Sequence, residues 1–183
     1  MEIKIPEQYQ DLLVPVKSTE TRTDDELRAA LLSYNPVTSE KNIWTFWDTG
    51  FIGMPGWCKR NVLAWFRINP GWTIRVLDGI PESPNYAGKY IPSGLPDAFY
   101  GNSMDGTHNG QHSADFLRGA CLYTYGGVWM DSSIFVTRSL DDALWNQLED
   151  PACAYRVAVM VQGQSLMNCM VASRKDDPFI KRW

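Results

Sequence analysis

The chain has 183 residues, of which 44% are hydrophobic and 21% charged, which suffices for one globular domain with a sizeable core. Its net charge of −4 gives no basic field that would attract nucleic acid or an anionic membrane, so neither is an expected partner. The sequence has no apolar signal-peptide core and no run of about 18 apolar residues, which predicts a cytoplasmic protein without a membrane segment.

The first 40 residues are predicted to form an arm followed by a helix, ahead of a main domain over 41–183. Residues 1–22 are polar and interrupted by proline. Thr23 and Glu26 then form a capping-box pattern, and hydrophobic residues recur at helical spacing. The helix should end at Asn35, because a proline follows it.

A strand–helix–strand unit is predicted to open the main domain. Its strands are rich in β-branched and aromatic residues, and the turn residues Asn69-Pro70-Gly71 separate the helix from the second strand. This order is the signature of a parallel α/β sheet. The predicted ranges are 43–47 for the first strand, 57–68 for the helix and 72–77 for the second strand.

The region 79–111 is predicted to be a long loop, because Pro, Gly, Asn and Ser are frequent and only 95–100 suggests a short helix. Loops of this length in compact domains are usually either functional or disordered, and in an active enzyme we expect this one to close over the ligand. Further helices and strands follow it. They are a helix over 113–125 with Ser113 as its cap and Gly126 in a left-handed position, strands over 128–131 and 134–137, a helix over 140–148, strands over 155–161 and 166–172, and a helix beginning at Asp177-Pro178.

The helix over 113–125 carries a charged pair in apolar surroundings. Asp115 and Arg118 are three residues apart and share a helix face, where an exposed ion pair would stabilise the helix only weakly. The rest of the helix is apolar enough to be mostly buried, and a buried charged pair needs a partner or a cleft. The sequence leaves both interpretations open, a surface ion pair and a ligand-binding pair.

Asp131 follows the apolar strand at the edge where open α/β sheets bind ligands. A carboxylate there can hold a ribose hydroxyl or a divalent cation that bridges a diphosphate. The alternative is a turn aspartate that caps its own loop through Ser132 and Ser133. Glycine-rich phosphate-binding motifs are absent from the sequence, so phosphate would be held by a metal, by Arg118 or by loop amides.

A zinc site is not expected from the cysteines and histidines. The four cysteines form no Cys-x-x-Cys pair. His108 and His112 are four residues apart, but Asn109-Gly110 between them argues against the helix that would bring them together.

These residues together resemble the DXD-containing glycosyltransferases, and most closely the capsular polysaccharide synthesis proteins. The resemblance covers about residues 41–183 and extends to fungal α-mannosyltransferases and glucosylating clostridial toxins. Its specific part is the order Ser113-x-Asp115-x-x-Arg118 followed by Tyr125-Gly126-Gly127-Val128-Trp129-x-Asp131, with Ile43-Trp44, Trp47 and Asn69-Pro70-x-Trp72 as weaker matches.

The resemblance implies an α/β protein with a GT-A-like, Rossmann-type mixed sheet flanked by helices. Such a domain binds a nucleotide sugar, here a UDP- or GDP-linked donor. The implied reaction is a retaining transfer of the sugar to a hydroxyl group of a glycan or protein acceptor, in polysaccharide or glycan synthesis.

The resemblance also implies roles by position. Asp115 and Arg118 correspond to the pair that binds the hydroxyls of the donor sugar, and Trp47 to an aromatic residue that stacks on the nucleobase. Asp131 corresponds to the first aspartate of the DXD motif. It is therefore the expected catalytic residue, a contact of the nucleotide and a ligand of a divalent cation, Mn²⁺ or Mg²⁺.

Two departures from the family pattern modify these expectations. The third motif position is Ser133 rather than aspartate, which leaves one of the two expected carboxylates. Ser133 and Asn168 are retained as further site candidates. Related enzymes continue past the position of Trp183, so we expect the domain to be incomplete at its C-terminal end.

Three other functions stay open from the sequence. Asp115 and Asp131 could be the two carboxylates of a glycoside hydrolase, although Arg118 favours the ionised form of its neighbour, which suits a poor general acid. Ser133 and the short chain favour a catalytically inactive nucleotide-sugar or glycan-binding module derived from such an enzyme. A structural or interaction domain is the third alternative.

Overall fold

The computed structural model describes residues 6–12, 18–101, 103–104 and 108–183, and this part contains a five-stranded mixed sheet. The strands are β1 (Asn42–Phe46), β2 (Thr73–Leu77), β3 (Gly127–Met130), β4 (Val157–Gln162) and β5 (Ser165–Ser173). Their order across the sheet is β2-β1-β3-β5-β4. β1 is parallel to both of its neighbours, whereas β5 is antiparallel to β3 and β4.

Helices cover both faces of the sheet. Thr23 caps the first of them through the predicted capping box, since its N–H donates to the Glu26 carboxylate at 2.7 Å and its hydroxyl accepts from the Glu26 N–H at 3.3 Å. A 3₁₀ helix covers Glu7–Leu12, and a π-helical turn covers Asp141–Trp145. The α-helices are α1 (Asp24–Leu31), α2 (Gly50–Gly53), α3 (Gly56–Ile68), α4 (Ala87–Tyr90), α5 (Asp97–Tyr100), α6 (Asn109–Tyr125), α7 (Asn146–Glu149) and α8 (Pro178–Arg182).

The central strand β1 is buried at every position, as expected for a strand covered by helices on both faces. Its side chains alternate between two core clusters. Ile43 belongs to the cluster that packs against α1 and α3, whereas Trp44 and Phe46 belong to the cluster that packs against α6. The sheet therefore separates an α3 face from an α6 face, and each face has its own core.

The start of α6 and the strand predicted over 134–137 differ from the structure. α6 begins at Asn109 rather than Ser113, and the Ser113 hydroxyl bonds the Asn109 side chain at 3.4 Å within the helix instead of capping it. The predicted strand over 134–137 is wrong. Both edges of β3 are already occupied by β1 and β5, and the Ile134 carbonyl accepts a hydrogen bond from the Trp65 indole at 3.0 Å. The hairpin of β4 and β5 is confirmed.

The predicted loop over 79–111 is more structured than expected, since it contains both α4 and α5 and the first residues of α6. Residues 102 and 105–107 of this region lie outside the described residues. The same holds for residues 1–5 and 13–17 of the predicted N-terminal arm.

Two glycines connect α6 directly to β3. Gly126 has the predicted positive φ of 70°, but its ψ of −172° is extended because the chain enters the strand at once. Gly127 has a φ of 106°. A Cβ atom at Gly127 would lie 2.4 Å from the carbonyl oxygen of Asn42 and 2.9 Å from that of Glu40. The connection thus requires glycine for both conformation and space.

Gly127→Ala is expected to lower the free energy of unfolding by about 3 kcal/mol or more, because it combines a strained φ with a backbone clash. Gly119→Ala in the middle of α6 is the matched control. The added methyl group there meets no described atom within 4 Å beyond its own helix backbone, and helix propensity predicts stabilisation by up to about 1 kcal/mol. Denaturant titration measures both changes, and a Gly127→Ala protein as stable as the parent would contradict the assignment.

Candidate active site

A cavity of about 620 Å³ lies at the carboxyl ends of β1 and β3, which is where open α/β sheets bind ligands. Every site residue predicted from the sequence lines this cavity, so the structure brings the candidates together. Their individual roles stay predictions. The lining residues are Phe46, Trp47, Asp48, Trp57, Cys58, His108, Gly110, Gln111, Ala114, Asp115, Arg118, Asp131, Ser132, Ser133 and Asn168.

Arg118 on α6 is a buried cation at the cavity wall, with only 3% of its side chain exposed. Its Nη1 atom donates to Asp115 Oδ1 at 2.7 Å, and its Nη2 atom lies 3.6 Å from Asp131 Oδ1. The guanidinium also packs over the rings of Trp129 and Trp183, at 5.3 and 5.9 Å from their centroids. Because the Arg118 guanidinium is buried and contacts two carboxylates, it does not form a simple surface ion pair.

Asp115 faces the cavity with about half of its side chain exposed. Its Oδ1 atom accepts a second hydrogen bond from the Asn168 amide on β5, at 3.3 Å. The Asn168 side chain, a further site candidate from the sequence, therefore lies beside the charged pair. Its contact depends on the β4–β5 hairpin, which brings β5 alongside β3.

Two hydrogen bonds hold the side chain and the backbone N–H of Asp131 at the end of β3. Its Oδ1 atom accepts a hydrogen bond from the Trp129 indole at 2.9 Å, and its backbone N–H donates to the Cys169 carbonyl at 2.8 Å. Burial raises the pKa of Asp131, and the nearby Asp115 charge adds to this, while the Trp129 hydrogen bond and the Arg118 charge oppose it. The net effect is a carboxyl group with a raised pKa at the mouth of a ligand-sized cavity.

The turn after Asp131 is fixed from α3. The Asn61 side chain donates to the Ser132 carbonyl at 3.1 Å, and the Ser132 side chain is buried. Ser133 is exposed, so its hydroxyl is accessible from the cavity. The alternative of a turn aspartate that only caps its own loop is not supported, since Oδ1 of Asp131 binds Trp129 instead.

Trp47 follows β1 and lies on the α3 face of the sheet, partly buried against the core cluster there. Its N–H donates to the Leu77 carbonyl at 3.0 Å, and its carbonyl accepts from the Gly50 N–H at 2.8 Å. The indole is thus placed by backbone bonds on both sides while part of it lines the cavity.

Several lining residues were not among the predicted candidates. Asp48 and the half-exposed Trp57 come from the segment after β1 and from the start of α3. Trp57 could have been found, because it shares a helix face with Asn61 four residues later. His108 and Gln111 were missed because the first turn of α6 was expected to be loop, so their proximity to the cavity was not predictable from spacing.

The donor set permits a divalent cation only if a ligand supplies most of the coordination. The described part of the chain contains no cluster of three or more His, Cys, Asp or Glu side chains that could hold a metal. Asp131 offers one carboxylate and Ser133 a neighbouring hydroxyl. Mg²⁺ and similar ions are commonly bound by one or two carboxylates together with substrate phosphates, and these residues fit that arrangement.

The fold and the cavity define the class as an α/β protein with a ligand site at the carboxyl edge of a mixed sheet. A solved structure of the PaToxG glycosyltransferase has this fold, with a TM-score of 0.50 and 14% sequence identity over 86% of this chain and 63% of that chain. The chain belongs to the capsular polysaccharide synthesis protein family, whose model matches residues 7–183. The predicted family resemblance and the predicted α/β class are both confirmed.

Three fungal relatives carry glycosyltransferase names. The probable glycosyltransferase FCK3 of Fusarium pseudograminearum is 48% identical over all of this chain and 47% of its own length. The O-glycosyltransferase braB of Annulohypoxylon truncatum is 39% identical over 93% of this chain and 42% of its own. Glycosyltransferase afumC of Aspergillus fumigatus is 41% identical over 94% of this chain and 46% of its own. The chain spans a little under half the length of these relatives.

Among the described residues, no helix is long and apolar enough to cross a bilayer.

In the metal-free protein, the raised pKa of Asp131 predicts the sign of a stability change. A carboxyl group that binds its proton more tightly in the folded chain contributes most to stability when protonated. This contribution is lost as the pH rises from the ordinary aspartate pKa to the raised value. Asp131→Asn keeps the acceptor oxygen without the charge, so it should be more stable than the parent at pH 7 and lose this advantage below about pH 4.

Thermal unfolding of both proteins in EDTA across this pH range measures the difference. Asp141→Asn is the control, because Asp141 forms an ion pair with Lys41 at 2.9 Å outside the cavity. The control variant should gain no stability at neutral pH. If the melting temperatures of Asp131→Asn and the parent differed by the same amount at every pH, the charged form of Asp131 would not destabilise the fold.

Proposed function

We propose that this protein is a GT-A-like glycosyltransferase that moves a sugar, with retention, from a UDP- or GDP-linked donor to a hydroxyl of a glycan or protein acceptor. The observation that carries the proposal is the buried Arg118 shared between Asp115 and Asp131 at the carboxyl edge of the sheet. A guanidinium recognises phosphate, and carboxylates accept hydrogen bonds from sugar hydroxyls. The names of the fungal relatives and the family description support the same class.

Each predicted residue has a part in donor binding under this proposal. Trp47 stacks on the nucleobase, and Asp131 contacts the ribose or the diphosphate. Asp115 accepts hydrogen bonds from the donor sugar, with Asn168 beside it. Arg118 stands between the sugar and the diphosphate, since it contacts both carboxylates.

The transfer breaks the bond between the sugar C1 atom and the diphosphate oxygen and forms a bond from the acceptor oxygen to C1. The proton of the acceptor hydroxyl goes to the departing diphosphate. Negative charge develops on the leaving oxygen, and the guanidinium of Arg118, already fixed in place, stabilises it. Asp115 holds the sugar in the orientation that the acceptor requires.

Asp131 is the residue that would hold a divalent cation, with Ser133 as a neighbouring oxygen ligand. When bound, Mn²⁺ or Mg²⁺ would neutralise charge on the diphosphate.

A catalytically inactive nucleotide-sugar module is the second candidate. Ser133 favours it, because the motif position that carries a second carboxylate in the resembling enzymes is here an exposed hydroxyl. The two candidates share the donor site and differ in turnover.

Calorimetric titration with a panel of UDP- and GDP-sugars, with and without Mn²⁺, tests the donor site. We expect one donor to bind, and we expect slow hydrolysis of that donor even without an acceptor. Asp131→Ala should lower hydrolysis by about 100-fold or more, while Asp141→Ala leaves it unchanged. Binding without any turnover would support the inactive module, and no binding at millimolar donor would rule out both candidates.

Cation dependence forms a separate prediction. Because the diphosphate supplies most of the expected ligands, Mn²⁺ alone should bind weakly and nucleotide should strengthen its binding. Titration of Mn²⁺ followed by electron paramagnetic resonance, with and without UDP or GDP, measures this coupling. Asp131→Ala should abolish the nucleotide-dependent part. Identical donor affinity in EDTA and in Mn²⁺ would show that the site works without a cation.

A further inference from the structure

One buried side chain, Trp129, contacts both Asp131 and Arg118 in the lining of the cavity. The edge of its indole donates a hydrogen bond to Asp131 Oδ1 at 2.9 Å. Its face carries the Arg118 guanidinium, with 5.3 Å between the guanidinium carbon and the ring centroid. The two contacts use different parts of the ring, so one residue sets the position of a cation and an anion together.

Trp129 is itself rigidly placed. Its side chain is 1% exposed and lies in the α6-side core with Leu117 and Cys121. Its backbone is in β3, in register with Trp44 on β1 and Val171 on β5. Residues i and i+2 of a strand point to the same face, which is why Trp129 and Asp131 lie next to each other.

The hydrogen bond has a consequence for Arg118. Asp131 Oδ1 is 3.6 Å from Arg118 Nη2, longer than the 2.7 Å contact that the same guanidinium makes with Asp115. The indole N–H binds this same oxygen and fixes the carboxylate in the orientation that leaves it 3.6 Å from Nη2. Arg118 Nε is also buried without a hydrogen-bond partner among the described residues. The guanidinium therefore has a donor that no described protein group uses.

We propose that Trp129 is a positioning residue for the donor site, which holds Asp131 and Arg118 apart so that both remain available to the nucleotide sugar. Without the indole N–H, the 3.6 Å contact between Asp131 and Arg118 would shorten into a directly hydrogen-bonded ion pair, and both groups would become less available to the donor. This inference deepens the proposed function and rests on it for the identity of the donor.

Trp44 provides a matched control within the same sheet. It is also fully buried, it lies directly opposite Trp129 in the β1–β3 register, and its indole N–H donates to the Gly126 carbonyl at 2.9 Å. Its face likewise carries an arginine, Arg75, at 5.3 Å from the ring centroid. Trp44 does not line the cavity. Trp44→Phe thus removes the same kind of hydrogen bond at the same depth, without touching the site residues.

The first experiment compares donor affinity in Trp129→Phe, Trp44→Phe and the parent by calorimetry, with the UDP- or GDP-sugar that the parent binds. Phenylalanine keeps an aromatic face for the arginine and removes the N–H. We expect Trp129→Phe to bind the donor at least about tenfold more weakly, and Trp44→Phe to bind within about twofold of the parent. If donor affinity fell equally in both variants, Trp129 would act only as a core residue, and the proposal would be wrong.

Replacement of the indole by the isosteric benzothiophene side chain, introduced at position 129 or 44 by suppression of a stop codon, covers the case in which phenylalanine prevents folding. Sulfur takes the place of the N–H, and the shape and ring face stay nearly the same. The same difference between the two positions is expected. Unchanged donor affinity with this side chain at position 129 would contradict a role for the N–H.

The second experiment needs no ligand. In Asp131→Ala the buried indole N–H loses its acceptor, which is costly, so adding Trp129→Phe should reduce the melting temperature less than it does in the parent. The pair Asp131→Ala and Trp44→Phe should be additive. If the effects of Asp131→Ala and Trp129→Phe on the melting temperature were also additive, Trp129 would not act through Asp131.

A negative result has a different meaning in each of the two experiments. If the parent binds no UDP- or GDP-sugar, the proposed function is wrong, while the melting-temperature cycle still decides whether Trp129 positions Asp131. If the parent binds a donor and Trp129→Phe binds it equally well, the donor site stands and the role of Trp129 is wrong.

Discussion

The burial of Arg118 is the constraint on which the rest of the cavity depends. A guanidinium removed from water costs several kcal/mol unless it is paired and hydrogen-bonded. Here the compensation comes from Asp115, Asp131 and the ring faces of Trp129 and Trp183. These partners belong to α6, to β3 and the residue after it, and to the segment following α8. The charge can be accommodated only when helix and sheet are assembled, so folding and formation of the site are the same event.

Arg75 shows what a purely structural solution looks like on the same face of the sheet. It is also buried, and it also packs on a tryptophan ring, that of Trp44. Its hydrogen bonds go to uncharged groups outside the cavity, the Asn42 side chain and the carbonyls of Asn35 and Pro36. Arg118 instead pairs with carboxylates that reach the cavity. The two arginines share a packing environment and differ in their partners, since only those of Arg118 line the cavity.

Local patterns predicted most of the fold because each depends on neighbouring residues. The capping box at Thr23, the turn at Asn69 and the β4–β5 hairpin are of this kind, and the structure contains them. The errors arose where tertiary context decides. Asn109-Gly110 favours a turn locally but forms the first turn of α6. The segment 134–137 has strand-like residues, but both edges of the preceding strand β3 are already paired.

The candidate site divides in the same way. Asp115 and Arg118 could be paired from helix periodicity, and Asp131 could be placed from the end of a strand. Nothing in the sequence shows that Asn168 reaches Asp115, because that contact depends on β5 lying antiparallel beside β3. The role of Trp129 was hidden for a related reason. Strand alternation puts it beside Asp131, but its contact with Arg118 depends on how α6 packs on the sheet.

The contacts at the site also bear on the serine that replaces a motif aspartate. The carboxylates of Asp115 and Asp131 already exceed the Arg118 charge by one, and burial and the neighbouring carboxylate together raise the pKa of Asp131. A second carboxylate at position 133 would add to this repulsion unless a cation were bound. With Ser133 the excess negative charge stays small, so an anionic diphosphate meets less repulsion before any metal arrives. We infer that the serine shifts the balance of donor binding from the cation toward Arg118, which increases the importance of holding that arginine in place.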